Sequence, residues 1–143
     1  MGIYKFYNEY AFLDMEYPVD IAIDGIVYPN AKRAFAGMRF RDDNLRKTCL
    51  TADNKTLNHI IRNVHDGPLV RPEFACHPEA QLLKVLRLKF KHEELREKLL
   101  STEDEDIIYI NKYDFYLGKY KEQGYNRLGK GLMTVRWEIK NDI

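Results

Sequence analysis

The chain has 143 residues, of which 45% are hydrophobic and 31% are charged, so its composition is that of an ordinary globular protein and not of a disordered one. Its 23 Lys and Arg residues nearly balance its 22 Asp and Glu residues, which excludes the strong basic excess of proteins that cover a nucleic-acid backbone. The 2 cysteines are too few for a disulfide scaffold, and no stretch approaches the roughly 20 apolar residues of a membrane span, so we expect a cytoplasmic protein without a membrane partner.

The N-terminal part of the chain is predicted to hold most of the strands. Alternation of side chains over residues 3–13 predicts a first strand. Alternating apolar residues then predict a hairpin from Val19 to Tyr28, with Asp24-Gly25 as a type I′ turn. Asn30 is suited to cap the next element, a helix that apolar spacing predicts from Ala31 to Phe40.

Helices dominate the predicted elements that follow. Apolar residues at helical spacing predict helices over residues 54–64, Pro78 to Phe90, Glu93 to Leu100 and Arg127 to Ile139. A β-branched run over residues 107–110 predicts one more strand, and the segment after it is loop-like. The sequence therefore predicts one α+β domain over residues 1–143, with a small, mostly antiparallel sheet packed with several helices.

The sequence contains none of the short motifs that would indicate a catalytic mechanism. The chain has no phosphate-binding Gly-rich loop, no paired cysteines for zinc and no nucleophile elbow. Its 4 histidines stand apart and fit no ligand spacing, so we predict no metal site.

The order of longer sequence blocks is more informative. These blocks are FLDMEYP, IAIDGIVYP, NAKRAFAGMRF, KTLNHIIRN, LKVLRLKFKHEELREKLLST, YDFYLG and GYNRLGKGLMTVR. In this order they resemble the NADAR domain family of YbiA-like proteins, over nearly the whole chain from about Tyr4 to about Trp137. The last block agrees with the family pattern G-x-N-x-L-G-x-x-L-M-x-V-R at every position.

The resemblance implies N-glycoside chemistry. Members of the family hydrolyse a ribose–nitrogen bond, either in riboflavin-pathway intermediates or in ADP-ribose attached to guanine. The implied partner is a small phosphorylated ribosylated base or ADP-ribose, with nucleic acid involved only through a modified or terminal base. The reaction needs a carboxylate, phosphate donors and an aromatic platform for the base, and because it is hydrolytic it implies no cofactor.

Several family positions are altered in this chain. The Glu-His pair of the family at the start of the first helix falls on Lys32 and Arg33. The family Trp before the long helix falls on Phe74, which is either a stacking platform for the base or a core residue. The Trp of the family motif Y-D-x-x-W-G is Leu117, and an acidic strand position falls on Tyr109.

Other family positions are retained, and the resemblance assigns them to the site. Asp114 is either a catalytic carboxylate or the Asx cap of the loop before Gly118. Asn126 either binds substrate or caps the last helix, and Arg136 is either a phosphate donor or the partner of a buried acid. On the first helix, Phe35 and Arg39 are predicted to bind substrate.

The missing family carboxylate has a candidate replacement. The Ser-Asn-Phe loop of the family reads Asp14-Met15-Glu16 in this chain, which introduces two acids. Asp14 or Glu16 either pairs with Lys32, or replaces the carboxylate, or is a surface charge that meets neither.

Two functions follow from these alternatives. The first is an N-glycosidase-type hydrolase in which Asp114 and one of Asp14 and Glu16 carry the chemistry. The second is a catalytically silent module that binds ADP-ribose or a nucleotide, with Lys32, Arg33 and Arg39 among its phosphate donors.

Overall fold

The structure is a computed structural model that describes residues 2–143. Within this range the elements are, in chain order, β1 (Gly2–Ile3), a 3₁₀ helix (Asn8–Leu13), β2 (Pro18–Ile23), β3 (Ile26–Asn30), α1 (Ala31–Gly37), α2 (Asp43–Thr48), α3 (Asn54–Asn63), α4 (Pro72–Cys76), α5 (Pro78–Lys89), α6 (Glu93–Leu100), β4 (Asp106–Ile107), β5 (Lys119–Tyr120), β6 (Gln123–Gly124) and α7 (Arg127–Lys140). Helices thus predominate over short strands, which confirms the predicted α+β class.

The chain groups into two compact units, which we describe separately. Unit 1 contains the N-terminal segment up to Asp14 together with Phe90–Ile143, and unit 2 contains Met15–Lys89. In unit 1 the strands form a parallel pair, β1 with β4, and an antiparallel pair, β5 with β6. In unit 2 they form the antiparallel pair β2 and β3. That residues 1–143 are a single domain stays a prediction.

The hairpin of unit 2 lies where the sequence predicts it. Ile21 faces Tyr28 across the two strands, and both side chains are buried. Asp24 and Gly25 both have positive φ, 53° and 80°, as a type I′ turn requires. Glycine suits the second of these positions because it has no Cβ to clash in the left-handed region.

Helix α1 begins as predicted and ends earlier. Asn30 caps it, since its Oδ1 accepts a hydrogen bond of 2.9 Å from the Arg33 backbone N–H. The helix stops at Gly37, three residues before the predicted end at Phe40. Phe40 instead forms an isolated β-bridge with Val70, because the backbone after the helix pairs with residues 69–71.

The predicted strand over residues 3–13 is wrong beyond its first residues. Pairing with β4 extends only over Gly2–Ile3, and β4 itself is two residues long. Asn8 then adopts a φ of 54°, and the chain turns into the 3₁₀ helix Asn8–Leu13. The alternation in the sequence reflects a buried Phe6 between exposed tyrosines and not a paired strand.

The strand predicted over residues 107–110 is shorter in the structure. Strand β4 ends at Ile107 because a side chain then takes over the backbone hydrogen bonds. The Tyr109 N–H donates to Asn126 Oδ1 over 2.9 Å, and the Ile107 carbonyl accepts from Asn126 Nδ2 over 3.1 Å. The following segment, predicted as a loop, contains the β5–β6 hairpin.

Tyr28 gives a prediction about alkaline stability. It is fully buried, its hydroxyl has no hydrogen-bond partner among residues 2–143, and burial raises its pKa from 10.0 to about 12, with Cys49 and Asp24 adding to the shift. Because the pKa of Tyr28 is higher in the folded state than in the unfolded state, its deprotonation favours unfolding. The free energy of unfolding is therefore undiminished by this group below about pH 10, and it falls as the pH rises toward about 12. Between about pH 8 and about pH 11 we expect the wild type to lose about 1.4 kcal/mol more unfolding free energy than Tyr28→Phe.

Urea unfolding at the two pH values measures this difference. Tyr28→Phe should also be neutral or slightly stabilising near pH 8, because it removes a buried hydroxyl without a partner. Tyr113→Phe is the matched control, since Tyr113 is 71% exposed. An equal alkaline loss in wild type and Tyr28→Phe would contradict the prediction.

Candidate functional site

Asp114 begins the loop that precedes β5 in unit 1. Its side chain is 7% exposed, and its Oδ1 accepts hydrogen bonds from the Tyr116 N–H at 3.1 Å and the Leu117 N–H at 2.9 Å. This is the Asx turn that the sequence offered as an alternative to a catalytic role. Oδ2 has no hydrogen-bond partner within residues 2–143. One carboxylate oxygen is therefore fixed by backbone, and the other makes no hydrogen bond to the described residues.

The backbone around Asp114 is held on two sides. The four carbonyls of residues 115–118 accept hydrogen bonds of 2.8–3.2 Å from the four N–H groups of residues 125–128. Gly118 also packs against another segment, because a Cβ there would lie 2.6 Å from the Tyr109 carbonyl oxygen. A side chain at this position would push the loop away, so the glycine keeps Asp114 in its place.

Asn126 is buried beside this loop. Its side-chain oxygen and nitrogen both bind backbone, at Tyr109 and Ile107. It precedes α7 and has a φ of 49°, yet its side chain makes no cap hydrogen bond to that helix. Asn126 therefore joins β4 to the start of α7, and a role in substrate binding stays a prediction.

Arg136 faces an acidic loop, which we define as residues 103–106. Its Nη1 donates to Thr102 Oγ1 over 2.9 Å, so its hydrogen-bond partner is a buried hydroxyl and not a buried acid. Burial lowers the pKa of Arg136, and the carboxylates of the acidic loop oppose that shift. A phosphate at Arg136 would meet these carboxylates, so the geometry gives no support to a phosphate-donor role.

The proposed carboxylates and cations fall in both units. Asp14 follows the 3₁₀ helix in unit 1, whereas Glu16 belongs to unit 2. In unit 2 the Lys32 ammonium lies 3.9 Å from Glu16 Oε1 and 3.4 Å from Asn54 Oδ1. The predicted pairing of Lys32 with an acid of the Asp14–Glu16 block is thus confirmed for Glu16. The Lys32 N–H also donates to the Met15 carbonyl over 2.9 Å, which ties this block to the start of α1.

Arg33 links α1 to the chain after α2. Its Nη1 donates to the carbonyls of Cys49 and Ala52, at 3.1 and 2.7 Å. Cys49 is fully buried, and burial raises the pKa of its thiol while Arg39 and Arg33 oppose the shift. Arg33 is therefore bound to protein carbonyls, and its role as a phosphate donor stays a prediction.

Arg39 is the centre of a buried cluster in unit 2. It is 0% exposed, and its guanidinium carbon lies 5.1 Å from the Phe35 ring centroid and 4.4 Å from the Phe74 ring centroid. The two rings are 1% exposed, which favours the core alternative for Phe74. The guanidinium donates to four backbone carbonyls at 2.7–3.2 Å, those of Phe35, Ala36, Ile60 and Val64. These contacts describe a structural arginine, and substrate binding by this cluster stays a prediction.

Tyr109 stands where the family has an acid. Its ring stacks on Phe6 with centroids 5.2 Å apart, and its hydroxyl accepts a hydrogen bond of 3.1 Å from Asn111 Nδ2. Asn111 lies outside the sequence blocks that carry the family resemblance, so it was not predicted as a site residue. Tyr109 and these two neighbours, Phe6 and Asn111, are therefore all uncharged.

Residues 2–143 contain neither a metal-binding cluster nor a membrane-spanning helix. In that range no group of three or more His, Cys, Asp or Glu side chains has a geometry suited to a metal ion. Over the same residues no helix combines the length and apolar character needed to cross a bilayer.

Comparison with known proteins supplies the family. The family model for the NADAR domain matches residues 3–140. The NMR structure of the E. coli protein YbiA is similar to this chain, with a TM-score of 0.76 and 26% identity, over 99% of this chain and 85% of YbiA. No curated protein sequence matches it significantly. Because the family model covers nearly all of the sequence, the chain belongs to the NADAR domain family.

Proposed function

We propose that this protein is an N-glycosidase-type hydrolase that cleaves the ribose–nitrogen bond of a phosphorylated ribosylated base. Membership in the NADAR domain family suggests an N-glycosidase-like function. The observation that carries the proposal is Asp114, a buried carboxylate with one oxygen fixed by two backbone N–H groups and the other without a hydrogen-bond partner in the described part of the chain. The substrate would be a riboflavin-pathway intermediate or an ADP-ribosylated guanine.

The chemistry assigned to Asp114 follows from the charge of the transition state. When the ribose–nitrogen bond breaks, the electron pair leaves with the base and positive charge develops on the sugar. A carboxylate oxygen near the anomeric carbon stabilises that charge, and it also accepts a proton from the attacking water while the base takes up a proton as it leaves. A carboxylate held in advance by backbone donors does not have to reorganise during the reaction.

A second carboxylate, from Asp14 or Glu16, completes the proposed reaction. Lys32 restrains Glu16 and offsets part of its charge, since the two side chains lie 3.9 Å apart at their charged atoms. The Lys32 ammonium therefore orients the Glu16 carboxylate, and it also competes with the substrate for contact with that carboxylate. Asp14 and Glu16 therefore need separate tests.

Substitution of each acid by its amide supplies these tests. We expect either Asp14→Asn or Glu16→Gln to lower the rate of base release by about 10²-fold, the usual contribution of a charge-stabilising group. The other variant should remain close to the wild type and serves as the matched control. Equal rates in both variants and the wild type would remove the second carboxylate from the mechanism.

The hydrolase proposal itself is tested with the wild-type protein. It should be incubated with ribosylated pyrimidine phosphates and with ADP-ribosylated guanosine, and base release followed by chromatography. We expect release from at least one of these substrates. An absence of release, together with a rise in melting temperature on addition of ADP-ribose, would overturn hydrolysis in favour of the silent binding module. Lys32 and Arg33 at the start of α1 are the feature that favours this second function.

A further inference from the structure

A cavity of about 500 Å³ lies in the N-terminal part of unit 1. It is lined by residues 2–5 and 7–10 together with Glu105, and we call it the tyrosine cavity because three tyrosines contribute to it. None of the residues assigned to hydrolysis or substrate binding lines it. Its volume lies within the roughly 300–1,000 Å³ range of small-molecule sites.

Two tyrosines of this cavity present their rings to solvent. Tyr4 is 52% exposed and Tyr7 is 54% exposed, although aromatic side chains of this size usually bury more of their surface. Tyr10 follows Tyr7 by three residues, and its N–H donates to the Tyr7 carbonyl over 3.1 Å. Tyr7 and Tyr10 both line the cavity, Tyr7 from the extended residue before the 3₁₀ helix and Tyr10 from within it.

The position of Tyr4 depends on Gly2. A methyl group at Gly2 would lie 2.8 Å from the Tyr4 ring, so the ring rests against the glycine backbone. The tyrosine face is thus held in place by local packing while remaining open to solvent. Exposed aromatic rings held in this way are stacking platforms for planar ligands.

The charges around the cavity select the kind of planar ligand. Its lining contains one cation, Lys5, and two acids, Glu9 and Glu105. Glu105 belongs to the acidic loop, which adds three more carboxylates next to it in sequence. Such surroundings repel a phosphate and favour N–H donors or positive charge, because carboxylates are acceptors only.

We propose that the tyrosine cavity binds a planar heteroaromatic ring that carries amino groups and no phosphate. The ring stacks on Tyr4 and Tyr7, and its amino groups donate to the Glu9 carboxylate. Asn8, the first residue of the 3₁₀ helix, also lines the cavity and offers an amide that both donates and accepts along the edge of the ring.

Proflavine, a planar diamino cation, is the probe for this site. Its fluorescence anisotropy should rise saturably on addition of the wild-type protein. Tyr4→Ala and Tyr7→Ala should each weaken binding by about tenfold or more through lost stacking. Glu9→Lys should weaken it through charge, and Tyr113→Ala, which alters an exposed tyrosine outside the cavity, should leave it unchanged.

Competition distinguishes a free ring from a phosphorylated one. Adenosine should displace proflavine, and AMP, which carries the same ring with a phosphate, should do so much more weakly. Circular dichroism melting of each variant verifies that it is folded, and these substitutions at exposed positions are not expected to unfold the protein. Absence of saturable binding, equal competition by AMP, or wild-type affinity in both tyrosine variants would each overturn the proposal.

Discussion

Asp114→Asn is expected to lower the rate of base release by about 10²-fold or more, the usual contribution of one charge-stabilising group. The amide keeps an oxygen that accepts from the Tyr116 and Leu117 N–H groups, so the Asx turn survives. What the substitution removes is the negative charge on the oxygen that has no protein partner. The measurement is base release under single-turnover conditions, with the protein in saturating excess over the substrate, which reports the chemical step.

Two further variants separate charge from loop structure. Asp114→Ala removes the charge and also the turn, so it should lose both activity and stability, whereas Asp114→Asn should lose activity with an unchanged melting temperature. Glu122→Gln removes an exposed acid from the same part of unit 1 and should leave the rate unchanged. Wild-type release by Asp114→Asn would show that the carboxylate only supports the loop.

The hairpin and the cap of α1 were predictable because their causes are local. A type I′ turn needs particular residues at two adjacent positions, and a helix cap needs a side-chain acceptor three residues before an N–H. The N-terminal segment has no such local determinant. The alternation of its side chains is compatible with a strand. The strand is short in the structure because β4, with which it pairs, is only two residues long.

The parts of the candidate site that lie within the family-like sequence blocks could be predicted. The retained Tyr-Asp context indicated Asp114. The exchange of charges between two blocks offered a pairing of Lys32 with Asp14 or Glu16 as one alternative, and the structure pairs Lys32 with Glu16. The β5–β6 hairpin and the side-chain bonds of Asn126 could not be predicted, because they join segments that are distant in sequence.

The role of Arg39 likewise depends on contacts between segments that are distant in sequence, and these contacts are expected to contribute more to stability. In the sequence it is a cation at a retained family position on the first predicted helix, which suggested a phosphate-donor role. In the structure its donors are directed at the carbonyl ends of α1 and α3, so one buried cation satisfies the last carbonyls of two helices. Only the three-dimensional convergence of these carbonyls distinguishes the two roles.

Arg39→Met is therefore expected to lower the free energy of unfolding by about 3–5 kcal/mol. Methionine retains an apolar stem between Phe35 and Phe74 but leaves the four carbonyls without their charged donor, and buried groups left unsatisfied cost about 1–3 kcal/mol each before the structure relaxes. Arg39→Lys should also destabilise, because a single ammonium cannot reproduce the planar fork of donors. Urea unfolding measures both effects.

Arg33→Met is the matched comparison, since Arg33 donates to two carbonyls and is only partly buried. We expect it to lose about 1–2 kcal/mol, which is less than the loss expected at Arg39. Ligand binding distinguishes the structural role from the role predicted by sequence. If Arg39→Met unfolds at the wild-type urea concentration but no longer shows a rise in melting temperature with ADP-ribose, Arg39 is a phosphate donor, and the structural role is wrong.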